Sequence, residues 1–265
     1  MKKKLVFHFY FGDEWKTNPI VKIHLNCLRH YCNIFDDVEI VIAVNNPKDK
    51  KKTREIKETI LRYIDNNRIS LIVEENTPLR EAKTFYNEVL NGDEQYNGII
   101  FFGHSKGYSN LNGENNKDAI VEWICGLYFL SLEFADEAYK KLAYGTEKNN
   151  GVCYGSFLQI TDNGMVHSEY PYSGTFYWIN VNTIKHNDFK IPFLDNRFYA
   201  EKFPSDLNKK FFIESHNASL IYQTTVDFYH NPMQVRQAID FICQDSKAEL
   251  KRYEDFKKEV LAVEV

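Results

Sequence analysis

Four short apolar runs, at residues 4–12 (KLVFHFYFG), 38–46 (VEIVIAVNN), 69–76 (ISLIVEEN) and 98–103 (GIIFFG), constrain this chain more than any other feature. Segments of helical length and amphipathic pattern separate them. Residues 18–32 carry Asn18 as a cap and Pro19 at the first helical position. Residues 49–67 are highly charged, with a stripe of Ile56, Ile60, Leu61 and Ile64, and residues 79–92 stop at Gly92. Strands that are apolar on nearly every residue must be covered on both faces. Alternating with helices, they predict a parallel sheet, a Rossmann-type α/β half. Ligands of such sheets bind at the carboxyl ends of the strands. Here those ends present Asp13, Asn45, Glu74-Glu75 and the run His104-Ser105-Lys106-Gly107.

The pattern then changes. Residues 117–145 read as one long, mostly apolar helical stretch, and residues 151–160 and 164–180 alternate like antiparallel strands rich in Tyr and Ser. Helical signals return at residues 196–207. The tail from residue 233 reads as one charged amphipathic helix. Without repeats or a low-complexity linker, the expectation is one domain over residues 1–265. It divides into a first half (1–115), a second (116–230) and a helical tail (231–265).

Composition narrows the function. A net charge of −4 and a pI near 6.1 leave no basic face for nucleic acid. No long apolar run suits a membrane span, and no leader pattern follows the basic start, so a cytoplasmic protein is expected, with at most peripheral membrane contact. The five cysteines show no CxxC spacing and read as reduced core residues. The mixed charge of the tail suits packing on the domain or pairing, so a homo-oligomer is compatible with it.

The chain has no GxGxxG after its first strand, no GxxxxGK[ST], no GxSxG elbow and no HExxH. In GHSKG, Ser105 is one residue off the elbow spacing, which disfavours a hydrolase nucleophile. Lys106 between two glycines suits an anion such as phosphate, with His104 bonding to the same group or to a metal. The same residues also suit a plain turn with a solvated lysine.

Three segments in order, GIIFFGHSKGYSN, AIVEWICGLYFL and YPYSGTFYWIN, resemble bacterial polysaccharide-type glycosyltransferase-like proteins related to the rhamnan-synthesis transferases. The matching positions are His104, Lys106, Gly107, Trp123, Ser173, Gly174, Thr175, Phe176 and Trp178, with Glu201 in the later acidic segment. The resemblance covers residues 6–207. It implies a GT-A-like fold: a Rossmann-type, mostly parallel sheet flanked by helices, a mixed-strand acceptor half and a C-terminal helix. It implies a glycosyltransferase moving a sugar from a UDP-, GDP- or dTDP-linked donor to a glycan or lipid-linked acceptor in surface polysaccharide assembly.

In that scheme Lys106 and His104 neutralise the donor diphosphate. Ser105, Gly107, Ser173, Gly174 and Thr175 line the donor, and Asp13 and Asn45 reach its base or ribose. Trp178 and Tyr199 contact the acceptor. Glu201, among Phe198, Tyr199 and Phe203, is the general base, with Glu169 in reserve. The chain lacks the Asp-x-Asp that metal-dependent members carry after this strand. No metal is therefore expected; the alternative is Mn2+ or Mg2+ held by His104 with His216 or Asp206. A non-catalytic nucleotide- or carbohydrate-binding protein is the competing reading.

Overall fold

A computed structural model describes residues 2–65, 67–92, 96, 98–108, 117–143, 151–158, 171–172, 174–186, 189–208, 211–215, 231–243 and 246–262. The first half folds as expected. Strand β1 (Lys2–Phe11) leads to helix α1 (Pro19–Tyr31), whose Asn18 cap accepts a hydrogen bond from the Ile20 amide and whose first residue is Pro19. Then come β2 (Asp37–Val44), α2 (Lys50–Tyr63), β3 (Ile69–Glu75), α3 (Glu81–Thr84), which widens into a π-turn through Leu90, and β4 (Gly98–His104).

The chain continues through α4 (Lys117–Tyr128), α5 (Ala135–Ala143), β5 (Gly151–Gly155), β6 (Tyr177–Ile179), α6 (Val181–His186), α7 (Tyr199–Asn208), β7 (Phe212–Ser215), α8 (Pro232–Ile242) and α9 (Lys247–Ala262). Seven strands form one sheet in the order β3-β2-β1-β4-β6-β5-β7. Every neighbouring pair is parallel except the two made by β6, which runs antiparallel to β4 and β5. The α/β class and the mostly parallel sheet flanked by helices are thus present.

Strand alternation splits the core in two. Leu5, Phe7, Phe9 and Phe11 of β1 join Phe101 and Trp178 on the face covered by α1, α2, α4, α8 and α9. Val6, Ile100, Phe102, Tyr177 and Ile179 point the other way, toward α3, α6 and α7. Strand order in the sheet reverses at β1: β2 and then β3 are added on one side, and β4, parallel to β1, lies on the other. That switch point is where an open α/β sheet leaves a crevice.

Three expectations are corrected. The stretch 117–145 is not one helix, because a π-turn at Phe129–Glu133 separates α4 from α5. The segment 164–180 contributes only the three-residue β6 and an isolated bridge from Tyr172 to Leu158 among the described residues. The tail is two helices rather than one, since α8 ends before Cys243 and α9 begins at Lys247.

That tail packs against α1 and α4. Tyr253 donates to Glu122 Oε1 at 2.7 Å, Lys257 pairs with the same buried carboxylate, and Asn26 of α1 donates to the Val260 carbonyl at 2.8 Å. None of the five cysteines is in a disulfide, and all are buried. Among the described residues no helix is long and apolar enough to cross a membrane.

Candidate functional site

A cleft of about 340 Å³ opens at the carboxyl ends of β1 and β4. His8 and His104 face each other in register across these strands. Both are even-numbered positions following Val6 and Phe102, so alternation aims both imidazoles at the α3 and α7 face. There they meet acidic side chains. His8 Nδ1 lies 2.8 Å from Thr84 Oγ1, and the Thr84 hydroxyl donates to Glu74 Oε1 at 3.1 Å. His104 Nδ1 lies 3.6 Å from Glu81 Oε1, close but beyond a hydrogen bond.

Burial decides the charge of these rings. It pushes His8 down to about 3, with Lys83 and Arg80 adding to the shift. It also holds His104 well below its ordinary value, with Lys106 contributing next. Both are neutral imidazoles at physiological pH. His104 Nε2 is buried with no hydrogen-bond partner among the described residues. Burial also raises the Glu81 carboxyl above the usual carboxylate range.

Past the end of β4 the chain turns sharply. Gly107 has φ +83°, and a Cβ there would come within 2.6 Å of Ile120 Cγ2, so the turn needs glycine. The Lys106 carbonyl accepts a hydrogen bond from His24 Nε2 at 2.9 Å. Because a carbonyl only accepts, Nε2 carries the hydrogen and Nδ1 accepts from the Tyr128 hydroxyl, 2.9 Å away. Burial lowers His24 to about 4, which keeps this tautomer neutral. His24 is therefore a positioning residue for Lys106.

The Lys106 ammonium sits 5.1 Å from the centre of the Trp123 ring and 3.3 Å from Glu201 Oε1 of α7. This pair joins the two halves of the chain across the cleft. Arg80, Arg197 and Phe198 complete its rim. Arg80 has φ 48° and ψ −133°, a conformation that ordinarily belongs to glycine and costs another residue about 1–3 kcal/mol.

The structure thus brings together His104, Ser105, Lys106, Gly107 and Glu201 of the expected site. Asp13 and Asn45 stand beside it. Lys52 pairs with Asp13 at 2.8 Å and holds its carboxyl low, while Asn45 accepts from the hydroxyl of Tyr10, which lines the cleft. Ser105 does not look like a nucleophile, since its Oγ accepts the Tyr10 amide at 2.9 Å.

Other expectations fail on burial. Trp178 is wholly buried between Phe35 and Phe101, and its indole donates to the Ser131 carbonyl, so it cannot meet an acceptor. Tyr199 is buried with its hydroxyl on the Pro192 carbonyl. Thr175 is also buried, and Gly174 packs near Leu127; neither lines the cleft. Ser173, Glu169 and His216 lie outside the described residues. Asp206 is described but does not line the cleft, and no cluster of three metal-ligating side chains occurs among the described residues. The described residues therefore do not assemble the proposed Mn2+ or Mg2+ set.

No family model matches the chain, and no curated protein matches it. Among solved structures it is similar to 4-diphosphocytidyl-2C-methyl-D-erythritol synthase from Anaerococcus prevotii DSM 20548, at 13% identity and TM-score 0.39, covering 91% of this chain and 96% of that one. It is also similar to the nucleoside-diphosphate-sugar pyrophosphorylase from Vibrio cholerae RC9, at 9% identity and TM-score 0.43, covering 89% and 99%. A third is mouse xyloside xylosyltransferase 1 in its apo form, at 9% identity and TM-score 0.34, covering 99% and 95%. What the cleft can do is read from its own side chains.

Sequence reasoning missed five contributors: His8, His24, Arg80, Glu81 and Arg197. His8 left a signal, an imidazole interrupting an apolar strand. The others sit in patterns that read as ordinary helix or loop.

Proposed function

We propose that this protein is a glycosyltransferase that moves a sugar from a nucleoside-diphosphate donor to a saccharide or lipid-linked acceptor in surface glycan assembly. The observation that carries the reading is the Lys106–Glu201 pair, 3.3 Å apart across a cleft at the sheet's switch point. Sugar transfer needs positive charge at the leaving diphosphate and a base at the acceptor hydroxyl. A pair with one member from each half supplies both groups, and inversion requires the donor sugar to enter between them, so that Lys106 and Glu201 end on opposite sides of the anomeric carbon.

For transfer with inversion the roles are these. The bond from the anomeric carbon to the diphosphate oxygen breaks, and its electron pair leaves with the diphosphate beside Lys106. The acceptor oxygen bonds to the anomeric carbon from the opposite side, and its proton passes to the Glu201 carboxylate. Diphosphate arriving at Lys106 competes with Glu201 for the ammonium, so donor binding releases the carboxylate for its work as base. Trp123 beneath Lys106 and His24 on its carbonyl keep the ammonium in place. Within this reading the protein acts in the cytoplasm, where nucleotide sugars are made.

The test is calorimetric titration with UDP-, GDP- and dTDP-sugars, with and without manganese, on the wild type, Lys106→Ala and Glu201→Gln. One donor is expected to bind. Lys106→Ala should weaken it by about 10–100-fold, while Glu201→Gln should retain binding and lose transfer. Absence of binding by any nucleotide would overturn the reading.

A further inference from the structure

Resting on the donor reading above, we propose that Arg80 and Arg197 form the clamp for the ligand's diphosphate, with His104 Nε2 as a third donor. The first argument is about charge. Lys106 already faces Glu201 at 3.3 Å, so much of its charge is offset before any ligand arrives. Arg80 and Arg197 line the same cleft, and neither makes an ion pair with a described residue. Both are exposed, and the Arg197 guanidinium lies 4.5 Å from the Phe198 ring centre, which braces it at the rim. Two guanidiniums are suited to the oxygens of a diphosphate, which they bind bidentately.

The second argument is conformational. Arg80 occupies the second position of a tight turn closed by the Ala82 amide on the Leu79 carbonyl at 3.1 Å. With φ 48° and ψ −133° this position belongs by sterics to glycine. An arginine there is disfavoured by its own backbone, and no ion pair or side-chain hydrogen bond to a described residue offsets it. Strain of this kind marks a side chain kept for what it does. The same turn delivers Glu81 to His104, so one local distortion places two consecutive residues on the cleft.

The third argument is the vacancy in the hydrogen bonding. His104 Nε2 is buried on the cleft without a partner among the described residues. Buried polar atoms find partners, and an oxygen of the bound anion would supply this one.

The experiment uses inorganic pyrophosphate as the probe, titrated calorimetrically in a chelator, alongside UDP, GDP and dTDP. The wild type is expected to bind pyrophosphate without a divalent ion. Arg80→Gly should weaken that binding at least tenfold while raising the unfolding temperature by about 2–4 °C, because glycine relieves the turn. Arg197→Ala should weaken binding without a rise in unfolding temperature.

The clamp is overturned if the wild type does not bind pyrophosphate, if both variants bind it as tightly as the wild type, or if Arg80→Gly unfolds at a lower temperature. Two outcomes separate it from the donor reading. Nucleotides that bind no tighter than pyrophosphate would sink the donor reading and leave the clamp standing. Tight nucleotide binding, unchanged by either substitution, would sink the clamp alone.

Discussion

His104 ends β4, and three residues earlier Phe101 pairs with Trp178 of β6. These neighbouring regions of one sheet have opposite fates. The end of β4 opens into a cleft where neutral imidazoles, a lysine, two arginines and two carboxylates converge. The β6 segment is sealed: Phe176, Tyr177 and Trp178 pack against Phe7, Phe85 and Phe35. Both segments contributed to the family resemblance, so a motif can mark either a place where a ligand binds or the core that holds that place rigid. Aromatic residues beside small hydroxyls suit a sugar-binding wall and a buried strand equally well; burial alone distinguishes them.

The largest effect should come from breaking the sealed side. Trp178→Ala removes the biggest fully buried side chain and its bond to Ser131, and should cost about 3–5 kcal/mol in a denaturant titration. Trp178→Phe should recover most of that and leave acceptor use unchanged. A selective loss of acceptor affinity with stability intact would mean that Trp178 does reach the cleft.

Acid should act on the open side. His8 and His24 have folded values near 3 and 4, against about 6.5 when unfolded, and His104 is lowered as well. The unfolded chain thus binds protons that the folded one refuses, so stability falls as pH drops from about 6.5 toward 4. Each histidine contributes up to about 1.4 kcal/mol per pH unit. Glu81, raised by burial, works in the opposite direction and offsets part of the loss. Unfolding followed from pH 7 to 5 should show this slope, and His24→Gln should flatten it. A flat profile in the wild type would mean that these rings are solvated.

The smallest effect is expected at Ser105. Ser105→Ala strips the Tyr10 amide of its acceptor and should cost about 1 kcal/mol. A fluorophosphonate probe should leave the wild type unlabelled; labelling would restore Ser105 as a nucleophile and redraw the cleft.

Much of the first half was legible because its signals are local. Asn18 and Pro19 start a helix wherever they precede an apolar stripe, and β1, β2 and β4 carry apolar runs that only a covered sheet can use, whereas β3, at the sheet edge, keeps every residue at least partly exposed. The second half was harder to read. Five residues of π-turn interrupt a stretch whose apolar pattern looks continuous, and α8 and α9 share one amphipathic pattern across their break. Arg80 was hidden because a helical reading of residues 79–92 swallowed the turn that precedes α3. His24 was hidden because a buried imidazole inside an apolar helix has no periodic signature; its partner, the Lys106 carbonyl, lies 82 residues away.

By itself, then, the amino-acid order determined a parallel α/β half and a polar run at the end of its fourth strand. Hydrophobic period and capping act between near neighbours in the chain, and β1, β2 and β4 each declare their own burial. Only the tertiary structure decided that β6 inserts antiparallel between β4 and β5, that Trp178 is core and that Glu201 meets Lys106. It also decided that Arg80 and Arg197 line the cleft without an ion pair to a described residue. Those outcomes depend on which charges and which faces meet across the sheet, and such meetings are set by packing between segments distant in sequence.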